Sequence, residues 1–288
     1  MPRGPELVRA LWAVHLAVFL FAFAGLFPAW IALPVPLVVL GRTFFAALGL
    51  GLYFAWRGKS LPATSLIEKK LLFGGGFLLA VTWVTFFISI RLSSVALGLL
   101  AHSTFPVFTV CLEPLLLGGP FSRRNLLLAL LLPLGVYLLA PSLDWHDAAF
   151  QGVLWGVFSG FTFALLTITN RRLAGRLGGG WIAAWQNATA ALLLMPFLFL
   201  LDSPAPGIKD IIFLLILGLF CTALAHSLFN GGLRHISAQA GGIIALLEPL
   251  YAVILAFFLL GQKPAGRTLL GGALILVSAL AVTLRPEK

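Results

Sequence analysis

The sequence predicts an all-α integral membrane protein with ten transmembrane helices arranged as two inverted five-helix repeats. Three observations lead there. The 288 residues are 60% hydrophobic and only 10% charged, with a mean hydropathy of +1.06, whereas a soluble domain carries about 25% charged residues. Ten apolar stretches, each near the roughly 20 residues a bilayer-spanning helix needs, occupy most of the chain. The second half also aligns on the first at one fixed offset of 143 residues.

The spans are bounded by Pro, Gly and charge. The first, 7–27, follows Arg3 and contains Arg9. Its apolar run is too long for a signal-peptide core, so Ala22-Phe23-Ala24 is read as part of an uncleaved span. The second, 35–56, ends at Arg57-Gly58-Lys59, and the third, 70–90, lies between Lys69 and Arg91. The fourth, 94–117, stops at Gly118-Gly119-Pro120, and the fifth, 124–141, runs from Arg124 to Pro141. The sixth, 150–170, ends at Arg171-Arg172, and the seventh, 181–201, lies between Gly178-Gly179-Gly180 and Asp202. The eighth, ninth and tenth are 210–231, 237–260 and 267–284. No connection is long enough to form a soluble domain.

Orientation follows from the cations. With the N-terminus inside, 14 of the 19 Lys and Arg fall on the cytoplasmic side and 4 outside, while Arg42 lies within a span. That bias places both termini in the cytoplasm. The formal net charge of +10 is therefore a topology signal, and no nucleic-acid partner is implied. Cys111 and Cys221 sit in apolar runs without metal-ligand spacing, so neither a disulfide framework nor a metal site is expected.

The repeat divides the chain into 1–143 and 144–288. Between 91 and 131 there are 13 identities in 41 positions with the stretch 143 residues later. Arg91, Ser94, Gly98, Pro106, Gly118 and Arg124 meet Arg234, Ser237, Gly241, Pro249, Gly261 and Arg267 without a gap. Five spans per copy is an odd number, so the second copy enters the bilayer from the opposite side. The charge count independently puts Arg91 outside and Arg234 inside. Inverted repeats of this kind characterise secondary transporters, whose substrate site lies near the midplane between the halves.

This pattern resembles the EamA-like family of the drug/metabolite transporter superfamily, ten-span exporters with two five-span repeats. The likeness rests on the repeat, on Gly98 to Pro106 and Gly241 to Glu248-Pro249, and on Leu259-Leu260-Gly261-Gln262-Lys263-Pro264. In the family that last run usually reads Leu-Gly-Glu, so Gln262, and Gly119 at the equivalent place in the first repeat, depart from it. The resemblance implies export of small metabolites, with amino acids the best-known class. Other branches export drugs or exchange nucleotide sugars.

Several residues are candidates for contact with a small-molecule substrate. Pro106 and Pro249 fall near the middle of equivalent spans, where each removes a helix hydrogen bond and frees carbonyls that hydrocarbon cannot satisfy. They are read as hinges bordering the cavity or as packing kinks. Glu248, beside Pro249, is the sharpest candidate, because an ionisable group at mid-membrane is costly and is a functional hypothesis by default. It suits a proton carrier or a contact for an ammonium group, or else a neutral carboxyl bonded to a neighbouring helix. Arg42 binds a carboxylate, pairs with an acid, or snorkels to the outer interface. The equivalent stretch of the second repeat carries Trp185, Gln186 and Asn187, a polar cluster expected to face the cavity. His102 lies one turn from Pro106, and a lone buried His, here or at His226 and His15, is more often a packing residue. Asn230 and Tyr251 are weaker polar candidates. Trp83, with Thr82 and Thr85, either stacks on an aromatic or cationic substrate or fills the core.

The expected function is a secondary carrier exporting small metabolites, amino acids or related zwitterions, by alternating access in the plasma (inner) membrane. Substrate gradient or proton exchange would supply the energy, since no GxxxxGK[ST] phosphate loop is present and no cofactor is implied. The alternative is a drug or organic-cation/proton antiporter. An intramembrane enzyme is disfavoured, as no Ser–His, paired-Asp or HExxH arrangement occurs in the spans. The small-residue steps Gly74-Gly75-Gly76 and Gly271-Gly272 suit close helix packing and leave both monomer and homodimer open.

Overall fold

The computed structural model describes residues 4–60, 62–117, 131–140, 142–174, 176–203, 205–232, 235 and 244–284. Every regular element among them is helical. In chain order these are α1 (Gly4–Ala24), α2 (Phe27–Trp30), α3 (Val35–Trp56), α4 (Leu66–Leu92), α5 (Val95–His102), α6 (Phe105–Leu117) and α7 (Leu131–Leu139). Then come α8 (Ala148–Ala174), α9 (Gly179–Leu194), α10 (Phe197–Leu200), α11 (Ile208–Gly218), a π-helical segment (Leu219–Leu224), α12 (Ala225–Gly232), α13 (Glu248–Leu260) and α14 (Gly266–Leu284).

Among the described residues seven stretches are long and apolar enough to cross a membrane, and they follow the first four, sixth, seventh and eighth predicted spans. The chain is a multi-pass membrane protein on this count. Of the fifth span, 124–141, and the ninth, 237–260, the first parts lie outside the described residues, as do the repeat-matched Gly118, Arg124, Arg234, Ser237 and Gly241.

Local chemistry sets the helix ends. The third span starts before its flanking charges, at Leu66, because Ser65 and Glu68 form a capping box. Ser65 Oγ accepts from the Glu68 amide at 3.3 Å, and Glu68 Oε2 accepts from the Ser65 amide at 2.7 Å, satisfying two otherwise orphaned donors. Ser94 caps α5 by accepting from the Leu97 amide. Gly261 ends α13 at φ +66°, a left-handed conformation that disfavours a side chain.

The breaks at both predicted prolines are real, and each proline is the second residue of the helix that it opens. Pro106 opens α6 after a turn at Ser103-Thr104, and Pro249 opens α13 after a turn at Leu246-Leu247. Without an amide hydrogen Pro106 cannot continue the α5 ladder. Hydroxyls reinforce the turn: Ser103 donates to Leu99 O at 2.8 Å and Thr104 to Ala101 O at 2.8 Å, carbonyls that also accept the backbone amides of the same two residues. Gly160 of α8 packs on this turn so closely that a Cβ would lie 2.7 Å from His102 O.

Packing is strongest between α4 and α8, α3 and α9, α7 and α14, α4 and α9, and α1 and α12. The α3–α11 contact is tight because of small residues on both sides. A Cβ on Gly41 would meet Leu214, and one on Gly218 would sit 2.8 Å from Arg42 O. The main apolar cluster draws on Val38, Val39, Leu79, Trp83, Phe86, Phe87, Leu217 and Ala252, so it is shared by both halves of the sequence.

Candidate functional site

Polar groups are scarce inside this core, and the largest fully buried side chain is charged: Arg42 is 0% exposed. Its guanidinium carbon lies 3.9 Å from the Trp83 ring centroid and 5.3 Å from that of Phe87, so the ion is held against aromatic faces. Arg42 Nε and Nη2 both donate to Thr222 Oγ1, at 3.1 and 2.9 Å. The remaining nitrogen, Nη1, is buried without a hydrogen-bond partner, and so is Trp83 Nε1. Snorkelling does not describe this side chain. It turns inward, because α3 abuts α11 and the π segment, which carry the acceptor.

His226 stacks on the Trp83 ring at 6.0 Å with an interplanar angle of 22°, and meets Phe21 edge-on. Glu248, the first residue of α13, is buried, and no ion pair joins it to Arg42 among the described residues. Arg42 and Trp83 come from the first half of the chain, and Thr222, His226 and Glu248 from the second.

The stretch Trp185-Gln186-Asn187 does not act as one cluster. Successive residues on a helix point about 100° apart, and the three diverge accordingly. Gln186 is buried and donates to Asn170 Oδ1 at 2.6 Å, seated where a Cβ on Gly75 would lie 2.2 Å from its Nε2. Asn187 is fully buried and donates to Ala183 O, leaving its Oδ1 unpartnered. It sits on α9, which packs against α3 and α4. Trp185 is 39% exposed and points away from both, a correction to the expectation that all three face the cavity.

His102 is enclosed by Phe86, Phe105 and Phe163, with ring centroids 5.0 to 5.9 Å away. Its Nδ1 lies 3.0 Å from Ser159 Oγ, which donates to Thr82 O at 2.9 Å. A hydrogen-bonded packing role accounts for every one of these contacts. Tyr251 packs edge-on against Phe19 and against the main apolar cluster, and Asn230 lies against Gly179. The cation over Trp83 is the chain's own Arg42, so that ring face is occupied.

Sequence reasoning missed Thr222. Threonines are common in apolar helices, and nothing local distinguishes one that meets an arginine 180 residues earlier. The other feature it missed is a cavity of about 260 Å³ between α3, α9 and α12, lined by Leu50, Phe54, Lys59, Gly179, Trp181 and Ser227. Ser227 Oγ there is also unpartnered. No group of three or more His, Cys, Asp or Glu side chains among the described residues is placed to hold a metal.

The EamA-like transporter family model matches residues 8–140 and again 150–284. An uncharacterized transporter of Archaeoglobus fulgidus is 25% identical over 239 residues, covering 83% of each chain. The uncharacterized transporter YwfM of Bacillus subtilis is 28% identical over 206 residues, 70% of this chain and 69% of its own. Protein PecM of Dickeya dadantii is 25% identical over 241 residues, 80% of each. A solved crystal structure superposes with a TM-score of 0.69 at 19% identity, covering 98% of this chain and 97% of its own, which establishes a shared fold.

Proposed function

The chain belongs to the EamA-like transporter family, and from that premise we propose that it is a secondary carrier exporting amino acids or related zwitterions by alternating access. One observation carries the reading: a fully buried arginine keeps a free guanidinium edge over a ring whose own indole nitrogen is unpartnered, and a buried carboxylate, Glu248, comes from the other half of the chain. A buried unpaired polar group costs about 1–3 kcal/mol, and each such group calls for an explanation. A substrate carboxylate on Arg42 Nη1 and Trp83 Nε1 relieves both unpartnered donors, with its ammonium toward Glu248. Asn187 Oδ1 is a further unpartnered buried acceptor, on the neighbouring α9. A permanent organic cation gains nothing from Arg42, which is why the drug/proton antiporter takes second place.

The contact pattern supports two inverted five-helix units, 1–143 and 144–288. Exchanging each span with the one five places on turns the α4–α8 pairing into α12–α1, and the α4–α9 pairing into the packing of α3 on α11 and the π segment. Each of these pairings occurs. In this reading both termini are cytoplasmic, the membrane is the plasma (inner) membrane, Pro106 and Pro249 are the paired hinges, and the cavity beside Lys59 opens inward. Glu248 is the group through which protons would couple to transport. Tyr251, Asn230 and His102 serve the surrounding helices.

Counterflow in proteoliposomes against labelled amino acids, amines and sugars tests the proposal. Exchange of at least one amino acid, abolished by Arg42→Ala, is the expected result. Exchange confined to amines or cationic drugs, or amino-acid exchange indifferent to Arg42→Ala, overturns it.

A further inference from the structure

The π-helical segment Leu219–Leu224 interrupts the eighth span at the level of Arg42. Such single-turn interruptions widen the helix by one residue and rotate the next turns by about 100°. The Thr222 side chain obeys the altered winding: its hydroxyl donates to Leu217 O, five residues back, at 2.7 Å. With its hydrogen committed there, the oxygen has only lone pairs to offer Arg42, and it accepts from both Nε and Nη2. Gly218, just before the segment, brings the two backbones close. A Cβ there would lie 2.7 Å from Phe45 Cβ and 2.8 Å from Arg42 O.

We propose that Thr222 is the positioning residue of the transport site, fixing the rotation of the Arg42 guanidinium on the Trp83 ring so that the Nη1 edge alone is presented to a carboxylate. The proposal rests on the zwitterion-carrier reading and adds to it the residue that sets the geometry. A guanidinium on a flexible stem has several rotamers available, and a single aromatic face fixes its plane without fixing its rotation in that plane. The two hydrogen bonds to one oxygen supply the missing constraint. Thr222 itself need not touch the substrate.

The experiment is counterflow of the tritiated L-amino acid that the wild-type protein, screened against all twenty, carries fastest, with that amino acid's amide as competitor. Thr222→Val keeps the volume and removes the acceptor. The expected result is a KM raised roughly tenfold, the worth of about one hydrogen bond to a charged group, with Vmax little changed and the preference for free carboxylate over amide lost. Thr222→Ser restores both. Wild-type KM and preference in Thr222→Val, while Arg42→Ala abolishes exchange, overturn the positioning role and leave the carrier reading intact. Loss of neither function in Arg42→Ala, or no amino acid carried at all, overturns the carrier reading itself. Should Thr222→Val fail to fold, Thr222→Cys, whose sulfur is a weak acceptor, gives the same test: a raised KM supports the role, and a wild-type KM refutes it.

Discussion

The guanidinium carbon of Arg42 sits 3.9 Å from the Trp83 ring centroid, and the indole nitrogen of the same side chain has no hydrogen-bond partner. Trp83 thus has two separable properties, a face that holds a cation and an edge that can donate. Trp83→Phe keeps the face, weakened, and deletes the donor. We expect a folded protein, destabilised by about 0.5–2 kcal/mol for the weaker cation–π contact, with amino-acid affinity reduced several-fold. Trp83→Ala instead opens a core cavity at about 3–5 kcal/mol and should be recovered poorly. Thermal unfolding in detergent, then counterflow, separates the two outcomes.

Glu248 opens α13 next to Pro249 and is buried. Glu248→Gln preserves shape while removing the ionisable group. Exchange should fall by at least tenfold, the scale of one charge-assisted contact, and its residual rate should no longer change with pH. A Glu248→Gln protein with full, still pH-dependent transport would remove this carboxyl from the mechanism.

The glycine triplet of α4 offers an internal control. Gly76 is pressed against α9, where a Cβ would lie 2.4 Å from Thr189 Cβ and 3.0 Å from Gln186 O, while a Cβ on Gly74 meets nothing within 4 Å. Gly76→Ala should therefore cost about 1–3 kcal/mol through overpacking. Gly74→Ala should be neutral or stabilising by up to about 1 kcal/mol, the difference in helix propensity. Melting temperatures that shift alike for both would contradict the close α4–α9 approach.

Asp147 caps the start of α8, where its carboxylate accepts from the Ser142 hydroxyl and from the Ala149 amide at 2.8 Å. These bonds, the Ser142 one foremost, hold its pKa below the usual 3.8. A carboxyl depressed in the folded state contributes stability that is present above its unfolded pKa and lost as pH falls through the folded value. Asp147→Ala should thus melt below wild type at neutral pH, and the difference should shrink as pH drops below about 4. A gap that stays constant to pH 3 would show that the cap is not ionic.

Much of this architecture is legible in composition and spacing. The apolar runs, the proline breaks at 106 and 249 and the burial of Glu248 all stem from the intolerance of hydrocarbon for polar groups, a local property of the chain. Arg42 is ambiguous in the sequence for a physical reason: two helical turns from an interface, a long side chain reaches either water or the protein interior. Only the neighbouring helix decides, and that helix enters 180 residues later. The divergence of Trp185 from Gln186 and Asn187 is readable from helix geometry alone, because consecutive residues share no face. The π segment leaves no sign, since its residues Leu219–Leu224 are as apolar as those around them.

At the end of the molecule opposite Lys59, the side chain of Gln262 accepts the Val95 amide at 3.2 Å, fastening the start of α5 to the turn before α14. This fastening is a neutral amide bridge with no proton to gain or lose. Acidifying the medium on that face leaves it untouched, and parting it exchanges one such bond for one to water, at a net cost of about 1 kcal/mol. The latch is consequently weak and indifferent to acid. A change in acidity on that face therefore reaches α5 through other groups than this bridge.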